Sequence, residues 1–232
     1  MQRVIQITAD GSHTIAIPEL EVTFHSVNGA IQESQHVFIK AALHYCFLQQ
    51  GMLSSDAPLQ ILEMGFGTGL NALLTLREAM KYKKPVYFKS IEQFPLTAEE
   101  TAGLNYPDKL DEPALESYLR ELHSSSWNQD VAIHPDFTLH KVQASLQELP
   151  VAPQFHIVYY DAFAPRTQPE LWTEEIFRKL LNSLLPGGIL VTYCSKTVVR
   201  RAMQAAGFTV QKIQGPPFKR EMLRAHKPIS LV

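Results

Sequence analysis

A buried-strand pattern at residues 59–64 runs directly into Gly65-Phe66-Gly67-Thr68-Gly69, and a helix pattern at 70–80 follows at once. A second strand pattern at 86–91 completes a βαβ unit, which requires the two strands to lie parallel in one sheet. Glycines at alternate positions permit backbone angles closed to other residues and remove the side chains that would keep a ligand from the backbone. These three fall at the carboxyl end of a strand, where open parallel sheets bind ligands. Leu70 stands where a dinucleotide fingerprint carries its third glycine, so the spacing favours adenosylmethionine over a nicotinamide or flavin cofactor.

The alternation of strand and helix continues beyond this unit. Strands are expected at 137–142, 155–160 and 189–193, with helices at 169–185 and 197–206. Pro186-Gly187-Gly188 is read as the end of the first helix and Gly207 as the end of the second. The closing pair, 209–213 and 221–226, is separated by Gly215-Pro216-Pro217, too short a link for a crossover helix, so an antiparallel hairpin at one edge is expected. Ahead of the core, 3–8 and 13–18 read as a hairpin about Asp10-Gly11, and 33–50 places Val37, Ala41, Tyr45 and Leu48 at helical spacing. An insertion at 96–136 carries a helix pattern at 112–122, with Asp111 as its cap. The expected architecture is α/β: a doubly wound, Rossmann-like sheet, mostly parallel, with an antiparallel C-terminal edge strand. One domain is expected over 1–232, with the hairpin and helix in 1–55 and the core in 56–232.

Charged residues make up 19% of the chain, hydrophobic residues 45%, and no apolar run is long enough for a membrane span. The N-terminus lacks the basic start and apolar block of a signal peptide, which points to a cytoplasmic protein. Cys46 and Cys194 lie in apolar stretches and read as buried free thiols, and the nine histidines show no metal-ligand spacing, so no metal is expected. The formal net charge of −2 conceals an uneven distribution, because Lys196 to Lys227 holds eight basic residues against the single acid Glu221.

Glu92 ends the strand after the glycine loop, the placement of an acid that accepts hydrogen bonds from ribose hydroxyls. Gln93 follows it. Glu63, just before the loop, can hold the loop amides or approach the cationic end of the cofactor, and it can equally be structural. After the third core strand, Ser145 and Leu146 mark the adenine position without supplying a carboxylate. The strand 155–160 delivers Asp161-Ala162-Phe163-Ala164-Pro165 to the same sheet edge. A carboxylate there can orient a nucleophile and accept its proton, which makes Asp161 the catalytic candidate. Asp161 can instead only cap the following turn, and Trp172, which could stack on a flipped base, can instead be core packing.

These residues resemble the methyltransferase domain of the MnmC family of bifunctional tRNA 5-methylaminomethyl-2-thiouridine biosynthesis proteins. The similarity lies in Asn28-Gly29, in Gly65-Phe66-Gly67-Thr68-Gly69-Leu70-Asn71 and in Glu92-Gln93-Phe94-Pro95-Leu96. It continues in Asp161-Ala162-Phe163-Ala164-Pro165, in Pro169-Glu170-Leu171-Trp172-Thr173 and in Lys219-Arg220-Glu221-Met222-Leu223. The resemblance implies a class I methyltransferase fold and methylation of the aminomethyl nitrogen of a modified wobble uridine in tRNA, with S-adenosyl-L-methionine as donor. It implies cofactor contacts at Gly65, Gly67, Thr68, Gly69, Asn71 and Glu92, and places Asp161 at the reacting site, with Phe163 and Pro165 beside the substrate. Ser145 departs from the family, which has an acid near the adenine. The chain ends at Val232, so the FAD-dependent oxidase domain of two-domain members is expected to be absent, with separate enzymes supplying the aminomethyl uridine.

A tRNA substrate requires phosphate contacts, and Lys219 and Arg220, in the turn of the closing hairpin, are the residues expected to make them. Two other functions share the cofactor loop: methylation of a small amine metabolite, and cofactor binding without catalysis. The oligomeric state has no signature in the sequence.

Overall fold

In the computed structural model, which describes residues 2–49, 52, 56–148, 150 and 152–229, eight strands form the central sheet. The strand β4 (Leu59–Met64) lies between β5 (Val86–Glu92) and β8 (Phe155–Tyr160), all parallel. β7 (Phe137–Gln143) extends the parallel set beyond β5, and β9 (Leu184–Thr192) extends it beyond β8. The burial of Leu59, Ile61, Leu62, Val86, Phe88, Ile91, Ile157 and Val158 follows from helices covering both faces, which is why these strands read as near-continuous apolar runs. No described helix is long and apolar enough to cross a membrane.

The closing pair forms the expected antiparallel hairpin at one edge, but its strand order differs from expectation, and the other edge carries a strand not expected from the sequence. The C-terminal strand β11 (Glu221–His226) is antiparallel, but it is inserted beside β9, and β10 (Thr209–Gln214) is the edge strand. β11 carries the fully buried Met222, Leu223 and Ala225, whereas β10 has only exposed and half-buried residues, so the more apolar strand takes the inner place. At the other edge β6 (Asp130–His134), unassigned from the sequence, pairs antiparallel with β7.

The helix expected at 169–185 divides into a 3₁₀ turn, Pro169–Trp172, and α7 (Glu174–Ser183), capped by the Thr173 hydroxyl. Pro186-Gly187-Gly188 does not end that helix: it lies inside β9, where the pairing with β8 is irregular between Phe155 and Ile157. α8 (Thr197–Ala205) follows β9. Asp111 is not a helix cap. It adopts φ +56°, and the insertion's main helix, α6 (Leu115–Ser124), starts after Pro113, with the short α4 (Ala98–Thr101) and α5 (Tyr106–Lys109) before it.

Near the N-terminus β1 (Val4–Ile7), β2 (His13–Ile17) and β3 (Val22–Thr23) form a small antiparallel sheet. A continuous helical segment follows: α1 (Ala30–Ser34), a π-helical stretch Gln35–His44, and α2 (Tyr45–Gln49). Its expected end at Gln50 lies outside the described residues. The wider π winding displaces the predicted stripe, burying Val37, Phe38, Ile39, Ala42 and Leu43 and leaving Leu48 exposed. The hairpin turn caps this segment, because Gln32 N donates to Asp10 Oδ2 at 3.0 Å and Ala30 N to Thr8 Oγ1 at 3.3 Å. The sheet and the helix are thereby held as one unit above the carboxyl edge of β4. Cys46 and Cys194 are buried and free.

Candidate active site

The glycine loop joins β4 to α3 (Leu70–Tyr82). Gly65, Gly67 and Gly69 hold φ values of +91°, +49° and +71°, conformations that side-chain-bearing residues adopt only with strain. Space is closed as well. A Cβ on Gly67 would stand 3.0 Å from the Phe24 ring, and one on Gly65 3.2 Å from the Asp161 carbonyl oxygen. Gly65 N bonds to Ile91 O at 2.9 Å and Asp161 N to Met64 O at 3.2 Å, so the loop, the end of β5 and the end of β8 meet at one point.

Here the chain encloses a cavity of about 410 Å³. Of the residues expected at the site, Gly65, Gly67, Thr68, Asn71, Glu92, Gln93, Leu146, Asp161 and Phe163 line it. The rest do not. Gly69 starts α3 behind the loop, Pro165 lies beyond the wall, and Ser145 bonds through its amide to Glu148 rather than facing the cavity, where Gln147 stands beside Leu146. Lys219 and Arg220 are also off the wall. The N-terminal sheet and the segment after it add Arg3, Ile17, Leu20, Phe24 and His25, which the sequence reading missed. Arg3 closes this side by donating to Phe94 O at 2.9 Å and Pro95 O at 3.0 Å.

Glu92 is fixed by two backbone amides, Gly67 N at 3.2 Å on Oε2 and Phe94 N at 2.8 Å on Oε1. A carboxylate offers about four lone-pair positions, so acceptor capacity remains for a diol in the cavity. The insertion secures the loop from behind. Tyr106 OH donates to Thr68 Oγ1 at 2.8 Å, and His123 Nε2 lies 2.9 Å from Thr68 O. Burial lowers the His123 pKa to about 4, so the ring is neutral and its Nε2–H donates to that carbonyl. Lys141 donates to the Leu122 and His123 carbonyls at 2.8 Å each, anchoring the end of α6.

Asp161 accepts a 3.0 Å hydrogen bond from Asn71 Nδ2, and the Asn71 amide oxygen accepts one from the Ser34 hydroxyl. Burial, then the negative charge of Glu33, raise the Asp161 pKa to about 7, against the Asn71 bond and the Lys219 charge. Phe24 meets Phe163 edge to face at 5.3 Å between ring centres. Trp172 is buried against Tyr160 and Phe177, with Nε1 donating to Phe163 O at 2.8 Å, and so supports the Asp161 loop.

Glu63 does not line the cavity. It is fully buried, accepts a 2.6 Å bond from Ser90 Oγ, and leaves Oε1 without a partner among the described residues. Burial raises its pKa, with Asp161 and Glu92 adding to the effect, so the neutral acid is favoured. Glu63→Gln is therefore expected to keep both fold and cofactor affinity, while Glu63→Ala costs about 1–3 kcal/mol by stranding Ser90 in a void. Thermal melts with calorimetric titration check this. Loss of adenosylmethionine affinity in the glutamine variant alone would return a charged role to Glu63.

The family model for S-adenosyl-L-methionine-dependent methyltransferases matches residues 108–228. The chain belongs to this family. The methyltransferase is 34% identical over 220 residues to the tRNA 5-methylaminomethyl-2-thiouridine biosynthesis bifunctional protein MnmC of Ectopseudomonas mendocina, covering 88% of this chain and 32% of that protein. It is 33% identical over 211 residues to the protein of the same name from Leptospira interrogans, again covering 88% and 32%. The chain thus spans about a third of the length of these relatives. Among solved structures, MNMC2 from Aquifex aeolicus shares the fold, with a TM-score of 0.75 at 22% identity over 97% of this chain and 70% of that one. S-adenosyl-L-methionine is the cofactor of this methyltransferase family, and the loop without side chains, the Glu92 carboxylate and the cavity volume fit such a ligand.

Proposed function

We propose that this methyltransferase acts in the cytoplasm on the aminomethyl nitrogen of a 5-aminomethyl-(2-thio)uridine at the tRNA wobble position. The observation that carries the amine chemistry is Asp161, a carboxyl on the cavity wall whose pKa is raised to about 7. Relatives named for biosynthesis of tRNA 5-methylaminomethyl-2-thiouridine support the choice of nucleoside.

Bound adenosylmethionine supplies an electrophilic methyl group. Gly65, Gly67 and Glu92 would hold it, the glycines by open backbone and Glu92 by its free acceptor positions at the ribose. The chain's chemical task is then to orient an amine and manage its proton. Ser34 fixes the Asn71 amide, and Asn71 fixes the Asp161 carboxylate. Asp161, held by Asn71, would take up the proton that the amine nitrogen sheds on methylation. Phe24 and Phe163, which meet edge to face on the cavity wall, would offer ring surface to a pyrimidine.

A small amine is the second reading, favoured by one observation: Lys219, the foremost phosphate candidate from the sequence, is engaged within the protein by Glu33. Incubation with labelled adenosylmethionine and undermodified total tRNA separates the two, with the labelled nucleoside identified by mass spectrometry. Label in a 5-methylaminomethyl uridine is the expected result. Unlabelled tRNA beside a labelled small amine would overturn it.

A further inference from the structure

The cations crowded between Lys196 and Lys227 separate into two groups in the folded chain. Lys212 pairs with Glu221 at 2.7 Å, and Lys219 pairs with Glu33 while its ammonium lies 4.5 Å from the centre of the Tyr193 ring. Arg224 stacks 3.6 Å from the centre of the Tyr45 ring, and Lys227 donates to Leu184 O at 2.7 Å. Lys196, Arg200, Arg201 and Arg220 make no ion pair among the described residues.

Topology brings these four to the site. β10 is antiparallel to β11, which is antiparallel to β9, so β10 runs with the core strands and ends at their carboxyl edge. The turn 215–220 therefore leaves the sheet on the side of the glycine loop and Asp161. Lys196 occupies the N-cap position of α8 at the same edge, with Arg200 and Arg201 one turn further along. Arg200 and Arg220 both act on Glu221, whose carboxyl is held below its usual range by the Lys212 hydrogen bond first and by the Lys212, Arg220 and Arg200 charges after it.

At the tip of the turn Phe218 is 79% exposed and holds φ +70°, a left-handed backbone unusual for a bulky residue. Lys219 fixes that presentation. Its side chain is drawn inward to Glu33 while its amide bonds to Pro216 O at 2.9 Å, which turns the neighbouring Phe218 and Arg220 outward. An exposed ring among unpaired cations has the composition of a single-strand nucleic-acid surface: cations neutralise phosphates and a π-face stacks on an unpaired base without regard to its identity.

We propose that Lys196, Arg200, Arg201 and Arg220 with Phe218 form the docking surface for a single-stranded RNA loop, and that Lys219 positions this surface without touching phosphate. The proposal rests on the tRNA reading above and names the surface that reading requires.

The test is equilibrium binding of undermodified tRNA across a salt series, with adenosylmethionine titration and thermal melts as controls for folding. In the triple variant Arg200→Ala, Arg201→Ala, Arg220→Ala, affinity is expected to fall at least about tenfold. The slope of log affinity against log salt is expected to decrease by about 2, near 0.7 for each lost contact on a single strand. The matching Arg→Lys triple should keep the wild-type slope. Phe218→Ala should weaken binding about fivefold or more with the slope unchanged, since stacking releases no counterions. Cofactor affinity should not move in any of these variants. Wild-type affinity and slope in both the triple and the Phe218 variant would overturn the surface while leaving tRNA methylation standing. A wild-type protein that neither binds nor labels tRNA, yet labels a small amine, would overturn both.

Discussion

Asp161→Asn is expected to reduce methyl transfer by about 10²-fold or more while leaving adenosylmethionine affinity within a few-fold of wild type. Asparagine keeps the shape of the side chain and can still meet Asn71 after an amide rotation, but it takes no proton from a nucleophile. The wild-type pH profile carries the same information. With a pKa of about 7, raised by burial and then by Glu33, Asp161 is protonated and unable to accept at lower pH, so the single-turnover rate should climb about tenfold per unit and level off above about 8. That limb should vanish in Asp161→Asn.

Stability supplies a second, independent readout of the same residue. Its pKa in the folded chain lies above the ordinary 3.8, so the native state binds the proton more tightly than the unfolded state. Relative stability is therefore greatest below about pH 4 and declines as pH rises to about 7, the cost reaching on the order of a few kcal/mol above that window. Asp161→Asn has no charge to bury, so it should melt higher than wild type at pH 8 and converge with it near pH 4. A variant that kept wild-type turnover, or melted lower at pH 8, would remove Asp161 from the role of proton acceptor.

The parts of this fold that follow from local pattern were legible in the sequence. β4, the glycine loop, α3 and β5 lie where the periodicity put them, because a buried parallel strand and an amphipathic helix each write their own signal within about ten residues. Long-range pairing decided the rest. Pro186-Gly187-Gly188 has the composition of a helix stop, yet β8 pairs with β9 on both sides of it, at Leu184 and Ile189, and draws it into a strand irregularity. Likewise, nothing local announces that Phe24 and His25 line the cavity, since the capping of α1 by the Asp10 turn carries them there. Lys219 and Glu33 are separated by 186 positions, so the charge count of the C-terminal segment overstated the cations available to a partner. The motif Asp161-Ala162-Phe163-Ala164-Pro165 puts Asp161 at the end of β8, but the neighbouring negative charge that helps raise its pKa comes from Glu33 in α1, far earlier in the chain.

Glu92→Ala should raise the dissociation constant for adenosylmethionine by about 10²-fold. One cause is direct: a carboxylate accepting from ribose hydroxyls makes charge-assisted bonds worth about 1.5–3 kcal/mol each. The other is structural, because the same carboxylate holds Gly67 N at 3.2 Å and Phe94 N at 2.8 Å, and without it both segments lose their common anchor. A double-mutant cycle with the ligand separates these causes. Removing a ribose hydroxyl from S-adenosylhomocysteine should cost wild type about tenfold in affinity and cost Glu92→Ala almost nothing, since the partner is already gone. If the deoxy ligand is penalised equally in both proteins, Glu92 acts on the cofactor only through the two amides. Glu92→Gln refines the distinction, because its carboxamide can still accept from one amide while its NH₂ group opposes the other. An intermediate loss, near tenfold, is expected there, with part of the sensitivity to the missing hydroxyl retained.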